Sequence, residues 1–260
     1  MLIGSPPADA FSLCTRVRSY EVGRNGQVRV SSILRLMEYL ATQASDSVGF
    51  THAWYVRNGT AWVVRDMHLL LGATATIGDE LHMMTWLSEN RKVQAFREYA
   101  IVHRTSGALV ARAQARWAYV DMESGRPLRI PGDMLDKFAI RSEPMHRRQM
   151  PTTKLPINAN EQTIVAREYE TDAQQHINNA VYVDWLHECL YHSEPTAVEF
   201  RPRYYMIEYL HPVFAGDTVH VSTQLVPRGS RLAYALQEIT NSDASDVHIR
   251  STSLHIRPCH

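Results

Sequence analysis

An internal duplication constrains the fold of this chain more than any other feature of its sequence. The segment VRSYEV, which begins at Val17, recurs as AREYET from Ala166, and TIGDELHMMTWL from Thr76 recurs as FAGDTVHVSTQL from Phe214. The offset is 149 residues for the first pair and 138 for the second, so the first half holds about eleven extra residues between its landmarks. Repetition of this kind predicts two copies of one structural unit, and 260 residues suffice for two domains of about 130 residues each.

Each half gives the same order of predicted elements. A short strand, around 11–22 or 161–171, leads into a polar turn, and a helix follows over 31–46 or 179–193. The helices are predicted from apolar residues that recur at intervals of three and four, as in ILRLMEYLA. Several strands separated by turn residues complete each half.

Strand character is clearest in ALVARAQARWAYV, where two residue classes alternate. Arg112, Gln114 and Arg116 are predicted to share one face, and the intervening alanines and Trp117 the other. One helix followed by a run of antiparallel strands, occurring twice, predicts an α+β protein in which each of two sheets wraps a central helix. Two such sheets placed edge to edge would protect two exposed edges and form a pseudo-dimer within one chain.

The segment between the halves, RSEPMHRRQMPTTKLPINAN, is rich in proline and basic residues and lacks periodic apolar residues. This composition is typical of a linker. We therefore predict an N-terminal domain over residues 1–140, a linker over 141–158 and a C-terminal domain over 159–260.

Composition gives no sign of a nucleic-acid or membrane protein. Lys and Arg total 27, as do Asp and Glu, so there is no overall attraction to nucleic acid or anionic lipid. The three cysteines are far apart and form no CxxC pair, which favours a reducing compartment. The first residues, MLIGSPPADAFSL, lack the basic start and apolar core of a signal peptide, and no apolar run reaches the roughly 18 residues that span a bilayer. We expect a cytoplasmic protein that does not insert into membranes.

The histidines are numerous, but their spacing does not predict a metal site. His248 and His255 fall on opposite faces of one predicted strand, and His192 has no partner at a ligand spacing. We expect neither a bound metal nor a cofactor.

A polar run, TDAQQHINN, stands directly before the second predicted helix. It supplies a carboxylate at Asp172, amides at Gln174 and Asn178, and an imidazole at His176. Asp and Asn are common in turns and at helix N-termini, so a loop with an N-cap is one interpretation. Because a cap needs only one of these side chains, and because a helix N-terminus can stabilise a developing negative charge, a catalytic loop is the other.

The chain resembles the acyl-acyl carrier protein thioesterases, which release fatty acids in plastids and bacteria. In the first half the similarity runs through YEVGRNGQVRVSSILRLMEYLATQASDSVGF, IGDELHMMTWLSENRKVQAFREYAIV and RAQARWAYVDMESGRPLRIP, and it returns at QHINNAVYVDWL, so it covers essentially the whole chain. The resemblance implies a double hotdog fold, hydrolysis of a fatty acyl thioester, and catalytic residues in the second half.

The family signature is Asp, x, Asn, x, His, followed by a hydrophobic residue and Asn-Asn at the start of a helix. By this resemblance Asp172 orients or polarises its neighbours, Gln174 holds the carbonyl or the water, and His176 activates water or the nucleophile. Asn178 is an auxiliary candidate. In the first half Gly23 stands in the place of Asp172, so the chemistry is expected in the second half alone.

Two departures from the family pattern concern the catalytic groups. The Asn of the signature is Gln174, which is one methylene longer. The family also places a catalytic Glu and then a Cys after a strand that begins like IEY, and these positions fall on Pro212 and Val213. Neither that acid nor that thiol is present, which leaves Asp172 as the preferred carboxylate and Glu208 as an auxiliary candidate.

By analogy with the family, the first half shapes the acyl pocket. Candidates to line it are the apolar residues Met37, Leu40, Trp62, Met67 and Leu69, although plain core packing explains the same residues.

An acyl carrier protein is acidic, so local basic patches are candidates to guide its docking by complementary charge. These patches contain Arg147, Arg148, Arg201 and Arg203, and a solvated linker or strand face is the plainer interpretation. We expect a fatty acyl carrier protein or coenzyme A thioester as substrate. Release of a polyketide or unusual acyl chain, or acyl binding without hydrolysis, are the alternatives. Either a monomer or a homodimer is compatible with the duplicated chain.

Overall fold

The two halves of the chain have their central helix and main strands in the same order, as the duplication predicts. The computed structural model describes residues 6–138, 140, 141, 144–151, 155 and 159–258. The chain divides into two units, Met1–Arg147 and Arg148–His260. No helix among the described residues is long and apolar enough to cross a membrane.

The first unit is a five-stranded antiparallel sheet with a long helix packed against β1 and β3. The strands lie in the order β1-β3-β4-β5-β2. Met37 and Leu40, on the core side of the long helix, are completely buried. The elements are β1 (Phe11–Arg16), α1 (Val30–Asp46), α2 (His52–Asn58), β2 (Thr60–Leu71), β3 (Glu80–Arg91), β4 (Gln94–His103), β5 (Leu109–Asp121) and α3 (Gly132–Lys137).

The second unit repeats this plan with its own antiparallel sheet, in the order β7-β10-β9-β8-β6. Its long helix packs against β6, β8 and β9. Each unit is therefore α+β, with one sheet wrapped around one central helix, as predicted. The elements are β6 (Asn160–Val165), α4 (Asn179–Ser193), β7 (Arg201–Tyr209), β8 (Thr218–Arg228), β9 (Leu232–Asn241) and β10 (Val247–Ile256).

The duplication extends to individual backbone hydrogen bonds. The N–H of Val28 donates to the carbonyl of Ala75 at 2.9 Å in the first unit, and the N–H of Ile177 donates to the carbonyl of Val213 at 2.9 Å in the second. Helix α2 and a longer β2 account for the extra residues of the first unit. Thr51 caps α2 and Gly59 ends it in a left-handed conformation, with φ 62°.

The prediction of the first strand in each half was wrong at its C-terminal end. Strand β1 ends at Arg16 instead of residue 22, and β6 ends at Val165 instead of residue 171. A 3-10 turn follows each strand, over Ser19–Glu21 and Glu168–Glu170. In both turns the glutamate carboxylate accepts a hydrogen bond from a backbone N–H three residues earlier, which curls the chain away from the extended conformation.

The boundary between the units falls inside the predicted linker. The start of that segment is part of the first unit, because Met145 is buried and its N–H donates to Glu98 Oε2 at 2.9 Å. Further on, the carbonyl of Pro151 accepts a hydrogen bond from Thr252 Oγ1 at 3.0 Å within the second unit.

The polar face of β5 is buried as well as the alanine face. Arg112 is 1% exposed and forms an ion pair of 2.8 Å with Glu98, which is 0% exposed. Gln114 and Ser88 also donate hydrogen bonds to this carboxylate, the latter at 2.7 Å. The Arg112 guanidinium lies over the Trp86 ring, with its carbon 4.6 Å from the ring centroid. The buried Glu98 carboxylate is thus compensated by the charge of Arg112 and by hydrogen bonds.

Candidate active site

The polar run before α4 folds into a tight turn held by its own backbone. The N–H of Asp172 donates to the carbonyl of His176 at 2.8 Å, and the N–H of Gln175 donates to the carbonyl of Asp172 at 3.0 Å. Thr171 and Ile177 form an isolated antiparallel bridge that closes the turn. Gln175 has φ 64°, the left-handed conformation that a reversal of this kind requires.

The Asp172 side chain has a structural duty in this turn. Its Oδ1 accepts a hydrogen bond from the N–H of Gln174 at 2.8 Å, which is an Asx turn. Its Oδ2 accepts no hydrogen bond from any residue that the structure describes. The Gln174 side chain is exposed, and its amide has no hydrogen-bond partner within the described ranges. One carboxylate oxygen and one amide are therefore available to a ligand or to water.

The His176 ring is half-buried and is held by an aromatic contact. It meets the Phe214 ring edge to face, with centroids 4.9 Å apart and an interplanar angle of 78°. Within the described part of the chain, neither ring nitrogen forms a hydrogen bond or an ion pair. The backbone of the turn joins His176 to Asp172, whereas their side chains are not directly bonded. The imidazole is thus oriented and still free to exchange a proton with water or substrate.

Helix α4 begins immediately after the turn. The Asn178 side chain caps it by accepting a hydrogen bond from the N–H of Ala180 at 3.0 Å. The N–H of Asn178 donates to the carbonyl of Glu170 at 2.9 Å, which fixes the entry of the chain into the helix. His176 therefore stands two residues before a helix N-terminus, where the partial positive charge favours an anion.

The turn around Val213 lies against the polar turn. Val213 is completely buried, its carbonyl accepts from the N–H of Ile177, and its N–H donates to the Tyr182 hydroxyl at 3.1 Å. Pro212 is exposed. The two positions that the resemblance assigns to an acid and a thiol thus adjoin the polar turn, but here they bring no titratable side chain to it.

Tyr182 is buried on α4 behind these two turns. Burial raises the pKa of its phenol to about 12, and the nearby carboxylates of Asp172 and Asp217 act in the same direction, against the hydrogen bond from Val213. The phenol is therefore neutral across the physiological range and lies within the electrostatic field of Asp172.

The structure does not bring Glu208 to this site. Its carboxylate lies 3.7 Å from Arg250 in the cross-strand ladder, and Arg250 also donates to Glu238 at 2.8 Å. The next residue, Tyr209, has its ring centroid 6.2 Å from that of Tyr182 on α4. Because side chains alternate along a strand, Glu208 faces away from the helix.

The residues predicted to line the acyl pocket all lie in the first unit. Four are buried in the core, and Trp62 is partly buried beside an apolar cluster. Met37, Leu40, Met67 and Leu69 are buried in the core of this unit. Trp62 packs against an apolar cluster, and its Nε1 donates to the Tyr55 hydroxyl at 3.1 Å. The buried members of that cluster are Phe50, Tyr119, Ile130 and Met134.

The four arginines predicted to guide docking differ in their exposure and in their contacts. Arg147 donates to Gln114 Oε1, lies 5.4 Å from the Phe96 ring centroid, and lines a surface cleft of about 460 Å³ in the first unit. The N–H of Arg148 donates to the Tyr204 hydroxyl at 2.9 Å. Arg201 is exposed at the start of β7, and Arg203 is half-buried on the same strand.

The described residues contain no group of three or more His, Cys, Asp and Glu side chains arranged to hold a metal ion.

Sequence reasoning missed three residues of the second unit that contact the site. They are Tyr182, which accepts from Val213, Trp185, whose Nε1 donates to Glu170 Oε1 at 3.0 Å, and Phe214, which packs on His176. A comparison of the two halves could have found them. At the duplication offsets the first half has Ile33, Leu36 and Thr76 instead, so all three differ between halves whose scaffold is the same.

Two family models match most of the chain. The model of the acyl-ACP thioesterase N-terminal domain matches residues 9–138, and that of the C-terminal domain matches residues 154–253. Oleoyl-acyl carrier protein thioesterase 1, chloroplastic, of Arabidopsis thaliana is 23% identical over 207 residues, which cover 72% of this chain and 57% of that protein. The chain thus spans about half the length of the curated relatives it matches.

Solved structures of low sequence identity share the fold. The 12:0-ACP thioesterase from Umbellularia californica superposes with a TM-score of 0.83 at 19% identity, covering 95% of this chain and 93% of that one. An acyl-ACP thioesterase from Bacteroides thetaiotaomicron gives a TM-score of 0.79 at 17% identity, covering 94% and 96%. The fold is therefore the double hotdog, as expected. With both domain models matched along most of its length, the chain belongs to the acyl-ACP thioesterase family.

Proposed function

We propose that this protein hydrolyses the thioester between a fatty acyl chain and an acyl carrier protein. Membership of the acyl-ACP thioesterase family supports the substrate class. The observation that carries the proposal is the turn before α4. It presents an oriented imidazole whose nitrogens have no partner among the described residues, together with a carboxylate and a helix N-terminus within a few residues.

In the proposed reaction a water molecule attacks the thioester carbonyl directly. His176 takes the proton of the water as the C–O bond forms, and the carbonyl oxygen becomes negatively charged. The partial positive charge at the N-terminus of α4 stabilises this oxyanion, and the Gln174 amide holds the carbonyl or the water. The C–S bond then breaks, and His176 returns the proton to the leaving thiolate. The Asp172 carboxylate favours the transient imidazolium by its charge.

Direct attack by water follows from the residues that adjoin the turn. A covalent route needs a thiol or hydroxyl beside the base, and the family position for it is Val213, a buried aliphatic side chain. The missing acid at Pro212 leaves Asp172 as the carboxylate closest in sequence to His176 in this turn.

We propose the acyl carrier protein as the natural carrier, with coenzyme A thioesters as weaker substrates. The exposed Arg201 can attract an acidic carrier by charge, in a manner that salt weakens. Coenzyme A lacks the acidic protein surface. A higher kcat/KM for the carrier-bound acyl group, with the difference shrinking at high salt, is the expected result.

The departures at Gln174, Pro212 and Val213 favour one second candidate. A site without the family acid and thiol could bind an acyl chain without hydrolysing it. Tight acyl-carrier binding with no detectable free thiol would select this function.

The experiment is a panel of acyl carrier protein thioesters that differ in chain length and substitution, with the released thiol measured directly. Hydrolysis of at least one member supports the proposal. Binding without hydrolysis across the panel supports the second candidate, and neither binding nor hydrolysis contradicts both.

A further inference from the structure

Helix α4 holds the catalytic turn through two polar atoms that the proposed chemistry does not use. The Tyr182 hydroxyl accepts a hydrogen bond from the N–H of Val213 at 3.1 Å. One turn further along, Trp185 Nε1 donates to Glu170 Oε1 at 3.0 Å. The two rings meet nearly at right angles, with centroids 5.5 Å apart, so the pair forms one rigid support.

We call the hydrogen bonds of Tyr182 and Trp185 the two anchors. The partner residue in each anchor also makes a backbone hydrogen bond close to His176. Val213, held by Tyr182, accepts a hydrogen bond from the N–H of Ile177, the residue directly after His176. Glu170, held by Trp185, accepts one through its carbonyl from the N–H of Asn178. The chain on the helix side of His176 is therefore fastened twice, and each fastening leads back to α4.

The Tyr182 anchor also sets the aromatic neighbour of His176. Phe214 follows Val213 in the chain, and its N–H donates to Asp217 Oδ2 at 2.8 Å. With Val213 fixed at both its N–H and its carbonyl, the Phe214 ring has little freedom to leave the imidazole edge. Because the Tyr182 phenol keeps its proton, with a pKa raised to about 12 by burial, this support does not change with pH near neutrality.

The first unit shows that the fold does not need these anchors. It makes the equivalent backbone bonds, Val28 to Ala75 and Arg29 to Glu21, at 2.9 and 3.0 Å. At the positions of Tyr182 and Trp185 it has Ile33 and Leu36, which donate and accept nothing through their side chains. The anchors therefore occur only in the unit that carries the polar turn with His176.

We infer that Tyr182 and Trp185 are positioning residues for the hydrolysis, which hold His176 at the distance and angle that the attacking water requires. This inference rests on the proposed function. We expect a loosened turn still to bind the acyl chain, because both side chains are buried and their polar atoms are bonded within the protein. It does lower the fraction of molecules whose imidazole is correctly placed, so kcat falls while KM changes little.

The test compares Tyr182→Phe with Tyr205→Phe. Tyr205 is a matched control in the same unit, since it is also buried and its hydroxyl also makes one hydrogen bond, in this case with His187 Nε2 at 2.6 Å. For Tyr182→Phe we expect kcat to fall by about 10 to 100 fold with KM within about twofold. For Tyr205→Phe we expect kcat to stay within about twofold. Equal effects of the two variants on kcat would overturn the inference.

A second readout does not depend on activity. Amide hydrogen exchange at Ile177 and Val213 should speed up by about tenfold or more in Tyr182→Phe and stay unchanged in Tyr205→Phe. Trp185→Phe should speed exchange at Asn178 in the same way. Unchanged exchange in both anchor variants would overturn the positioning role. If the wild-type protein hydrolyses no thioester, the proposed function fails on its own, and the exchange result still decides whether the anchors hold the turn.

A double variant separates positioning from general structural damage. In a His176→Ala background there is no imidazole left to position, so adding Tyr182→Phe should reduce the residual rate by less than about twofold. A further loss as large as that in the wild-type background would show that Tyr182 acts on something other than His176.

Discussion

Two substitutions of Asp172 distinguish its structural role in the turn from its proposed role in catalysis. Oδ1 accepts the N–H of Gln174 at 2.8 Å, whereas Oδ2 has no partner among the described residues. Asp172→Asn keeps an oxygen that can make the Asx turn and removes the charge. Asp172→Ala removes both.

The expected magnitudes differ for the two duties. Loss of one partly exposed hydrogen bond in the turn costs about 0.5–1.5 kcal/mol of local stability, and only the Ala variant loses it. Loss of the charge that favours the imidazolium should slow hydrolysis by about 10²–10⁴ fold, or roughly 3–5 kcal/mol at 1.36 kcal/mol per factor of ten. Both variants should therefore be nearly inactive, while the Asn variant keeps the stability of the wild type.

The assay is thiol release from the best substrate of the carrier panel, together with urea unfolding of each variant. An Asn variant that retains activity within about threefold of the wild type would refute the catalytic role and leave Asp172 as a turn residue. An Asn variant that loses as much stability as the Ala variant would refute the assignment of the Asx turn.

Three further predictions concern other parts of the molecule. Asn178→Ala should lower the free energy of unfolding by about 1 kcal/mol in urea through loss of the α4 cap, and Asn178→Asp should restore it. Glu98→Gln should cost about 3–5 kcal/mol in the same assay, because the buried Arg112 charge loses its counter-charge, and adding Arg112→Met should recover most of the loss. Burial lowers the folded-state pKa of His187 to about 4, below its unfolded value of about 6.5, so the unfolded chain takes up a proton first as the pH falls. This group's contribution to stability should therefore disappear between about pH 6.5 and 4, and His187→Gln should reduce the pH slope of the unfolding free energy by about 1.4 kcal/mol per unit.

The order of helix and strands in each unit was predicted correctly, because the two halves of the sequence give the same order independently. The helix over 179–193 was placed correctly, since the apolar spacing and Asn178 before it agree on where it starts. The strands that lead into each helix were predicted too long. Their ends depend on how Glu21 and Glu170 bond to the backbone, and alternation does not reveal that contact.

Part of the site depends on contacts that no local pattern contains. The sequence indicated Asp172, Gln174 and His176, and the structure places them in one turn. It could not show that Glu208 is held by Arg250, because that pairing depends on the register between β7 and β10. Met145 is a similar case, since its N–H meets Glu98 on β4, a residue distant in the sequence.

The Tyr182 anchor was also hidden from the pattern. On a helical repeat an aromatic residue in the middle of an apolar run predicts core packing, and Tyr182 is indeed buried. Its hydroxyl matters because Val213 lies opposite, and only the fold brings these two residues together. The signal in the sequence that distinguishes Tyr182 is that the equivalent position of the first half is Ile33.

Thiol release by the wild-type protein and by His176→Ala, measured side by side on the acyl carrier protein panel, tests the central claim most directly. The mechanism predicts hydrolysis of at least one member by the wild type and a rate at least about 10²-fold lower in the variant, with the variant still folded and still binding the substrate. Equal rates for the two proteins would contradict the role of His176. A wild-type protein that binds members of the panel but releases thiol from none of them would contradict the proposed hydrolysis itself.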